Sequence, residues 1–173
     1  VTIIMDGSGR WARKQGQQRL FGHNEGVESV RACTEYAAQA GVKYLSIFAF
    51  SEENWGRPEA EISTLMQLMK KSINEEADSL MKHGVRFVVL GNRSRLSDEL
   101  NGAIDGLMEA TAGNTALTLI VFLSYSGKWD ILQAAQKLAH DLIEDPTRTV
   151  SQDDFSGYLV TAGVPDPDVL IRN

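Results

Sequence analysis

Val1-Thr2-Ile3-Ile4-Met5-Asp6-Gly7-Ser8-Gly9-Arg10, residues 1–10, passes from a short apolar, β-branched run straight into an acid, two glycines and a base. Such a run is a buried strand, and the acid and glycines behind it make a tight turn into a helix. The same pattern recurs four more times. Residues 42–50, 85–90, 117–124 and 169–171 are strand-like. They end at Ser51-Glu52-Glu53-Asn54-Trp55-Gly56-Arg57, Gly91-Asn92-Arg93, Ser124-Tyr125-Ser126-Gly127-Lys128-Trp129 and Arg172.

Helical patterns fill the gaps. From about Asn24 to Ala40, Val27, Val30, Cys33, Tyr36 and Ala37 recur at helical spacing, with Gly41 as the stop. Pro58 opens a long helix to about His83, closed by Gly84. Ser97 caps a helix carrying Leu100, Ile104, Leu107 and Met108. Ala112-Gly113-Asn114-Thr115 is a turn, residues 128–143 form a helix ended by Asp145-Pro146, and a short helix starts at Ser151. Strands that are apolar on both faces and alternate with helices predict an α/β fold: a single, mostly parallel sheet covered by helices. Ligands of such sheets bind outside the carboxyl ends of the strands, where the polar and basic residues of all five runs are expected to meet. The methionine-rich helix from Pro58 and the helix 98–110 are expected either to form plain core or to wall a hydrophobic tunnel against the sheet.

The chain of 173 residues suits one domain spanning 1–173. A net charge of −6 argues against a nucleic-acid partner, though a few arginines in a cleft still make a local anion site. The single cysteine, Cys33, forms no internal disulfide, and the longest apolar run is too short to cross a bilayer. A reducing, cytoplasmic setting is expected, with any membrane contact peripheral. Both ends fall inside strand-like runs, so further residues are expected beyond each.

Gly7 and Gly9 leave backbone N–H groups open to an anion, and Arg10, Arg13 and Arg19 supply guanidinium groups suited to phosphate oxygens. Asp6 beside such an anion would be repelled unless a cation lay between them, so it reads as a magnesium ligand. A plain turn with a surface aspartate is the alternative. In the second loop, Trp55 either plugs the packing or joins a site in which Arg57 meets a diphosphate, while Ser51 and Asn54 bond near the reacting carbon. His23 either caps a helix or contacts phosphate. Asp153-Asp154 is better explained as capping after Ser151 than as a metal pair.

Met5-Asp6-Gly7-Ser8-Gly9-Arg10-Trp11-Ala12 and Phe50-Ser51-Glu52-Glu53-Asn54-Trp55-Gly56-Arg57-Pro58 resemble the two signature motifs of the cis-prenyltransferase (undecaprenyl diphosphate synthase) family. Arg19, Phe21-Gly22-His23, Tyr125, Trp129-Asp130, Asp168 and Ile171-Arg172 extend the likeness along nearly the whole chain. The resemblance implies an enzyme that condenses isopentenyl diphosphate onto an allylic diphosphate, with Mg2+ as cofactor, and a homodimer. Asp6 would hold the metal, and Asp6 and Asn54 would be catalytic. Gly7, Ser8, Gly9, Arg10, Trp11, Arg19 and His23 would serve the allylic substrate. Ser51, Glu53, Trp55, Arg57 and Arg172 would serve the second one.

Three departures stand out. Ser8 replaces an asparagine, and Ser126 and Lys128 stand where glycine and arginine are common. Asn173 replaces a threonine, ahead of a family Arg-x-Ser motif that the sequence does not reach. Those departures keep open a non-catalytic accessory subunit. A phosphohydrolase with a nucleophilic aspartate would need a second aspartate where Ser8 stands.

Overall fold

The computed structural model describes residues 1–172; the reading of Asn173 falls outside them. Five strands, β1 (Thr2–Ile4), β2 (Tyr44–Ser51), β3 (Val85–Leu90), β4 (Leu117–Tyr125) and β5 (Leu170–Arg172), form one sheet in the order β3-β4-β2-β1-β5. Every pairing among them is parallel, so all five carboxyl ends lie along one edge. The helices are α1 (Ser8–Lys14), α2 (Arg19–Gln39), α3 (Glu59–Lys82), α4 (Asp98–Ala110), α5 (Gly127–Glu144) and α6 (Gln152–Ser156), with short 3-10 turns at Glu52–Gly56 and Arg93–Arg95.

Alternation along the strands decides what each face carries. Leu45 and Ile47 of β2, with Phe50 brought to the same face by a register shift after Phe48, join Val85 and Phe87 of β3 in one buried cluster with Ile73 and Leu80 of α3 and Leu100, Ile104 and Leu107 of α4. The out-of-phase residues build the other face. Phe48 stacks on Phe122 at 5.0 Å, Tyr125 meets both rings, and Trp129 of α5 meets Tyr125 edge-on at 6.2 Å. The capping predicted at Ser97 and Ser151 is present, the first accepting from Leu100 N–H and the second exchanging bonds with Asp154.

One boundary differs from the sequence reading in a way that matters. α2 starts at Arg19, not near Asn24, so Arg19, Phe21 and His23 stand on a helix rather than in a loop. Gly22 and Gly26 argue locally against helix, but packing overrides that cost. A Cβ on Gly22 would lie 2.2 Å from the Ser8 carbonyl oxygen, so glycine is what lets α1 and α2 touch backbone to backbone. Pro58 sits just before α3, in extended conformation, rather than within its first turn.

Candidate active site

The chain leaves β1 and reverses into α1 through Gly7, whose φ of 92° lies in the left-handed region that a side chain disfavours. The first closed helical bond of α1 runs from Trp11 N–H to the Gly7 carbonyl at 2.8 Å, leaving the amides of the first turn without a carbonyl behind them. Gly9 faces the Arg19 side chain, which an added Cβ would approach to 3.2 Å. Trp11 stacks on Phe21 with ring centroids 5.8 Å apart, and both rings stay exposed. The motif is thus held by the α1–α2 contact, not by its own turn.

Charge gathers at this corner from three strand ends. Asp6 accepts from Arg10 at 3.2 Å and from Arg172, at the end of β5, at 2.9 Å. Those contacts, the Arg172 hydrogen bond first, hold its carboxyl below the usual aspartate range. Glu61, in the first turn of α3, accepts from Arg19 and Arg57, each at 3.3 Å. Burial, and then the Arg57 charge, push the His23 imidazole below its ordinary pKa, favouring the neutral ring. Among the described residues, four guanidinium groups against two carboxylates leave an excess of positive charge here, which suits a polyanion.

Behind that charged rim lies a cavity of about 340 Å³. Asp6, Gly7, Ser8, Gly9, Arg10, Arg19, His23, Asn54 and Arg57 all line it, so most of the sequence-predicted residues converge. Its inner walls are Val27 and Val30 of α2, Leu65 and Met69 of α3, and the inward residues of β2, β3 and β4. The helices that wall it over the sheet are therefore α2 and α3; α4, expected as a wall, contributes only Leu107. α2 was read as a helix from its apolar stripe beyond Asn24, but not as a wall of the cavity.

Trp11, Ser51, Glu53, Trp55 and Arg172 stand outside the lining. Arg172 still reaches the site through Asp6. Ser51 and Asn54 are engaged with each other, the Ser51 N–H donating to Asn54 Oδ1 at 3.2 Å. Local hydrogen bonds, first from its own backbone and then from Ser51, lower the Glu53 pKa. Trp55 is a packing plug. Its ring meets Phe50 edge-on at 5.1 Å, and its indole N–H donates to Ser124 Oγ at 2.8 Å. Arg95 covers the other face at 4.5 Å while its guanidinium pairs with Glu52 at 2.9 Å.

Not all five strand ends meet in the cavity mouth. Those of β1 and β2, neighbours in the sheet, do so, and β5 joins them through the Arg172 bond to Asp6. The β3 end turns away, Arg93 bonding Asn101 and Asp105. The β4 end acts from behind. Ser124 is fully buried at φ 54° and donates to Glu52, so it braces the 3-10 turn that carries Asn54 and leads to Arg57. Next to it Tyr125 donates to buried Asp130, and burial followed by that carboxylate pushes the phenol up to about 12. Sequence reasoning missed Glu61 and Ser124. Glu61 carried one signal, an acid in the first turn behind Pro58; Ser124 carried only its place at the end of the fourth strand-like run.

Among the described residues no group of three or more histidines, cysteines or acids could hold a metal. A cation that takes one carboxylate and fills its other positions with diphosphate oxygens and water is what Asp6 fits.

Comparison with known proteins places the chain in a family. The family model described as "Putative undecaprenyl diphosphate synthase" matches residues 4–173. The chain belongs to the undecaprenyl diphosphate synthase family of cis-prenyltransferases. Within this family it is 43% identical to an isoprenyl transferase of Geobacter sulfurreducens, over 99% of this chain and 71% of that one. It is 45% identical to the ditrans,polycis-undecaprenyl-diphosphate synthase of Haemophilus ducreyi, over 99% and 72%. A crystal structure of lavandulyl diphosphate synthase from Lavandula x intermedia, in complex with dimethylallyl diphosphate, superposes with a TM-score of 0.94 at 30% identity, covering 99% of this chain and 75% of that one. Membership of a family of prenyl-transferring enzymes removes the phosphohydrolase reading. No helix among the described residues is long and apolar enough to cross a membrane.

Proposed function

We propose that this cis-prenyltransferase extends an allylic diphosphate, farnesyl diphosphate in the first instance, with isopentenyl diphosphate to a long-chain polyprenyl diphosphate, undecaprenyl diphosphate by analogy with its relatives. One observation carries the reading: an arginine-rich rim sits directly on an apolar cavity, which suits a molecule with a diphosphate head and a hydrocarbon tail. Gly7, Ser8, Gly9, Arg10, Arg19 and His23 take the allylic head, with the tail running between α2 and α3. Arg57, Asn54 and Arg172 serve isopentenyl diphosphate, with Ser51, Glu53 and Trp55 shaping the loop that carries Asn54 and Arg57.

In the reaction the bond from the allylic C1 to its oxygen breaks, and diphosphate leaves with the electron pair. The double bond of the isopentenyl unit supplies the electrons for the new carbon–carbon bond at C1, and a proton leaves its C2. The chain's part is electrostatic. Arg10 and Arg19 meet charge growing on the departing diphosphate. Holding both substrates in line removes much of the remaining barrier. Mg2+, held by Asp6, would neutralise further diphosphate charge when bound. A neutral His23 donates or accepts a hydrogen bond at the phosphates without competing for their cations.

Incubation of the full-length protein with farnesyl diphosphate and radiolabelled isopentenyl diphosphate tests this reading. Magnesium-dependent polyprenyl product, lost by 100-fold or more in Asp6→Ala (roughly what removal of one charge-stabilising group costs), is the expected result. An intact chain that folds and makes no product refutes it.

A further inference from the structure

The Glu52–Gly56 turn places Asn54 on the cavity wall and leads into Arg57. Two of its residues, Glu52 and Trp55, belong to a closed circuit of side chains from three elements. Trp55 Nε1 donates to Ser124 Oγ at 2.8 Å, and Ser124 Oγ donates in turn to Oε1 of Glu52. Arg95 donates to the other carboxylate oxygen, Oε2, at 2.9 Å, and closes the circuit by lying over the Trp55 ring at 4.5 Å. Asn54 sits between the two gripped residues.

Arg95 grips from a fixed point. It ends the 3-10 turn Arg93–Arg95 that follows β3. Gly91 lets this turn lie hard against β4, since a Cβ there would overlap the Leu123 carbonyl oxygen. The Asn92 N–H then donates to the Ser124 carbonyl at 2.9 Å, while Arg93 is tied to Asn101 at 2.9 Å and to Asp105 at 2.8 Å. The β3 end turns away from the cavity mouth, yet through Arg95 it reaches back to the loop that serves it.

Resting on the proposed function, we infer that Arg95 is a positioning residue for the isopentenyl half of the reaction, locking from outside the cavity the turn that presents Asn54 and Arg57. A guanidinium lies flat on an indole while aiming an N–H at a carboxylate, which an ammonium does not do. Without Arg95, Glu52 keeps the Ser124 hydroxyl but loses its counter-charge, and Trp55 loses its outer cover. The turn is then free to leave the competent position, and a site competent for part of the time binds more weakly by that fraction. The allylic head group falls to α1 and the start of α2, which the circuit does not touch. Because the Arg95 side chain is 44% exposed, losing its ion pair costs little stability. Positioning and stability therefore separate.

The test uses the full-length protein with magnesium, Arg95→Ala and Arg95→Lys. Calorimetry measures isopentenyl diphosphate binding to enzyme already holding unreactive farnesyl thiolodiphosphate, so no turnover intervenes. In Arg95→Ala that binding should weaken about tenfold, the turn being in place about a tenth of the time, while farnesyl thiolodiphosphate binds within about twofold of wild type. Arg95→Lys keeps a charge for Glu52 without the flat contact and falls between. Amide hydrogen exchange across residues 51–57 should quicken in Arg95→Ala, with Tm lowered by less than about 4 °C. An Arg95→Ala protein that binds isopentenyl diphosphate as wild type does overturns the inference. So does one in which both ligands weaken alike and Tm falls further, the mark of a merely structural role. A wild type that holds farnesyl thiolodiphosphate but takes no isopentenyl diphosphate overturns the proposed function, and this inference with it.

Discussion

Substituting Gly22 by alanine tests whether the α1–α2 contact, rather than the turn after β1, holds the first motif in place. The new Cβ would stand 2.2 Å from the Ser8 carbonyl oxygen, 2.8 Å from its carbon and 3.1 Å from the Ala12 Cβ. Ordinary contact begins at 3.4 Å, so α1 must retreat by more than about 1 Å, a scale on which overpacking costs about 1–3 kcal/mol. Such a loss lowers Tm by about 2–4 °C per kcal/mol in a chain of this size, or about 2–12 °C in all. α1 carries Ser8, Gly9 and Arg10, so the same retreat moves the diphosphate rim, and a 1 Å misplacement costs about 100-fold in rate. Calorimetric melting and the radiolabel assay read the two effects together. Gly102→Ala is the control, because nothing lies within 4 Å of the added methyl on the exposed face of α4. There alanine's better helix propensity should raise stability by about 0.5–1 kcal/mol with activity unchanged. A Gly22→Ala protein that melts within about 1 °C of wild type and keeps its rate would refute the reasoning.

Ser124→Ala removes the hydroxyl that Trp55 donates to and that Glu52 receives from, so about 1–3 kcal/mol of stability should be lost. Trp55 emission should shift as its indole is released, and an unchanged spectrum would count against the brace. Asp130 is 2% exposed and accepts from Tyr125, Gln133 and the Val160 N–H. Asp130→Ala leaves those donors unpaired, and urea unfolding should show a loss of about 3 kcal/mol or more.

The fold was legible because its signals were local. Apolar runs such as Leu117 to Leu123 admit only a buried strand, and five of them separated by helices leave little besides a parallel sheet. Asp6, Arg10, Arg19, His23 and Arg57 were legible too, since the carboxyl-edge rule gathers loops that are far apart in sequence. What escaped depends on distances along no chain segment. Gly22 reads as a helix breaker until Ser8 is seen against it. Trp55 could be plug or ligand, and only its bond to Ser124 makes it the plug. The cavity wall fell to α2 rather than α4 because strand order, not chain order, decides which helices face each other over the sheet.

A crystal structure of the full-length protein with magnesium and farnesyl thiolodiphosphate tests the central claim most directly. The diphosphate should lie within hydrogen-bonding distance of Arg10 and Arg19, the cation on Asp6, and the tail between Val30 of α2 and Met69 of α3. A diphosphate bound away from that rim, or a tail directed out of the cavity, would contradict the account.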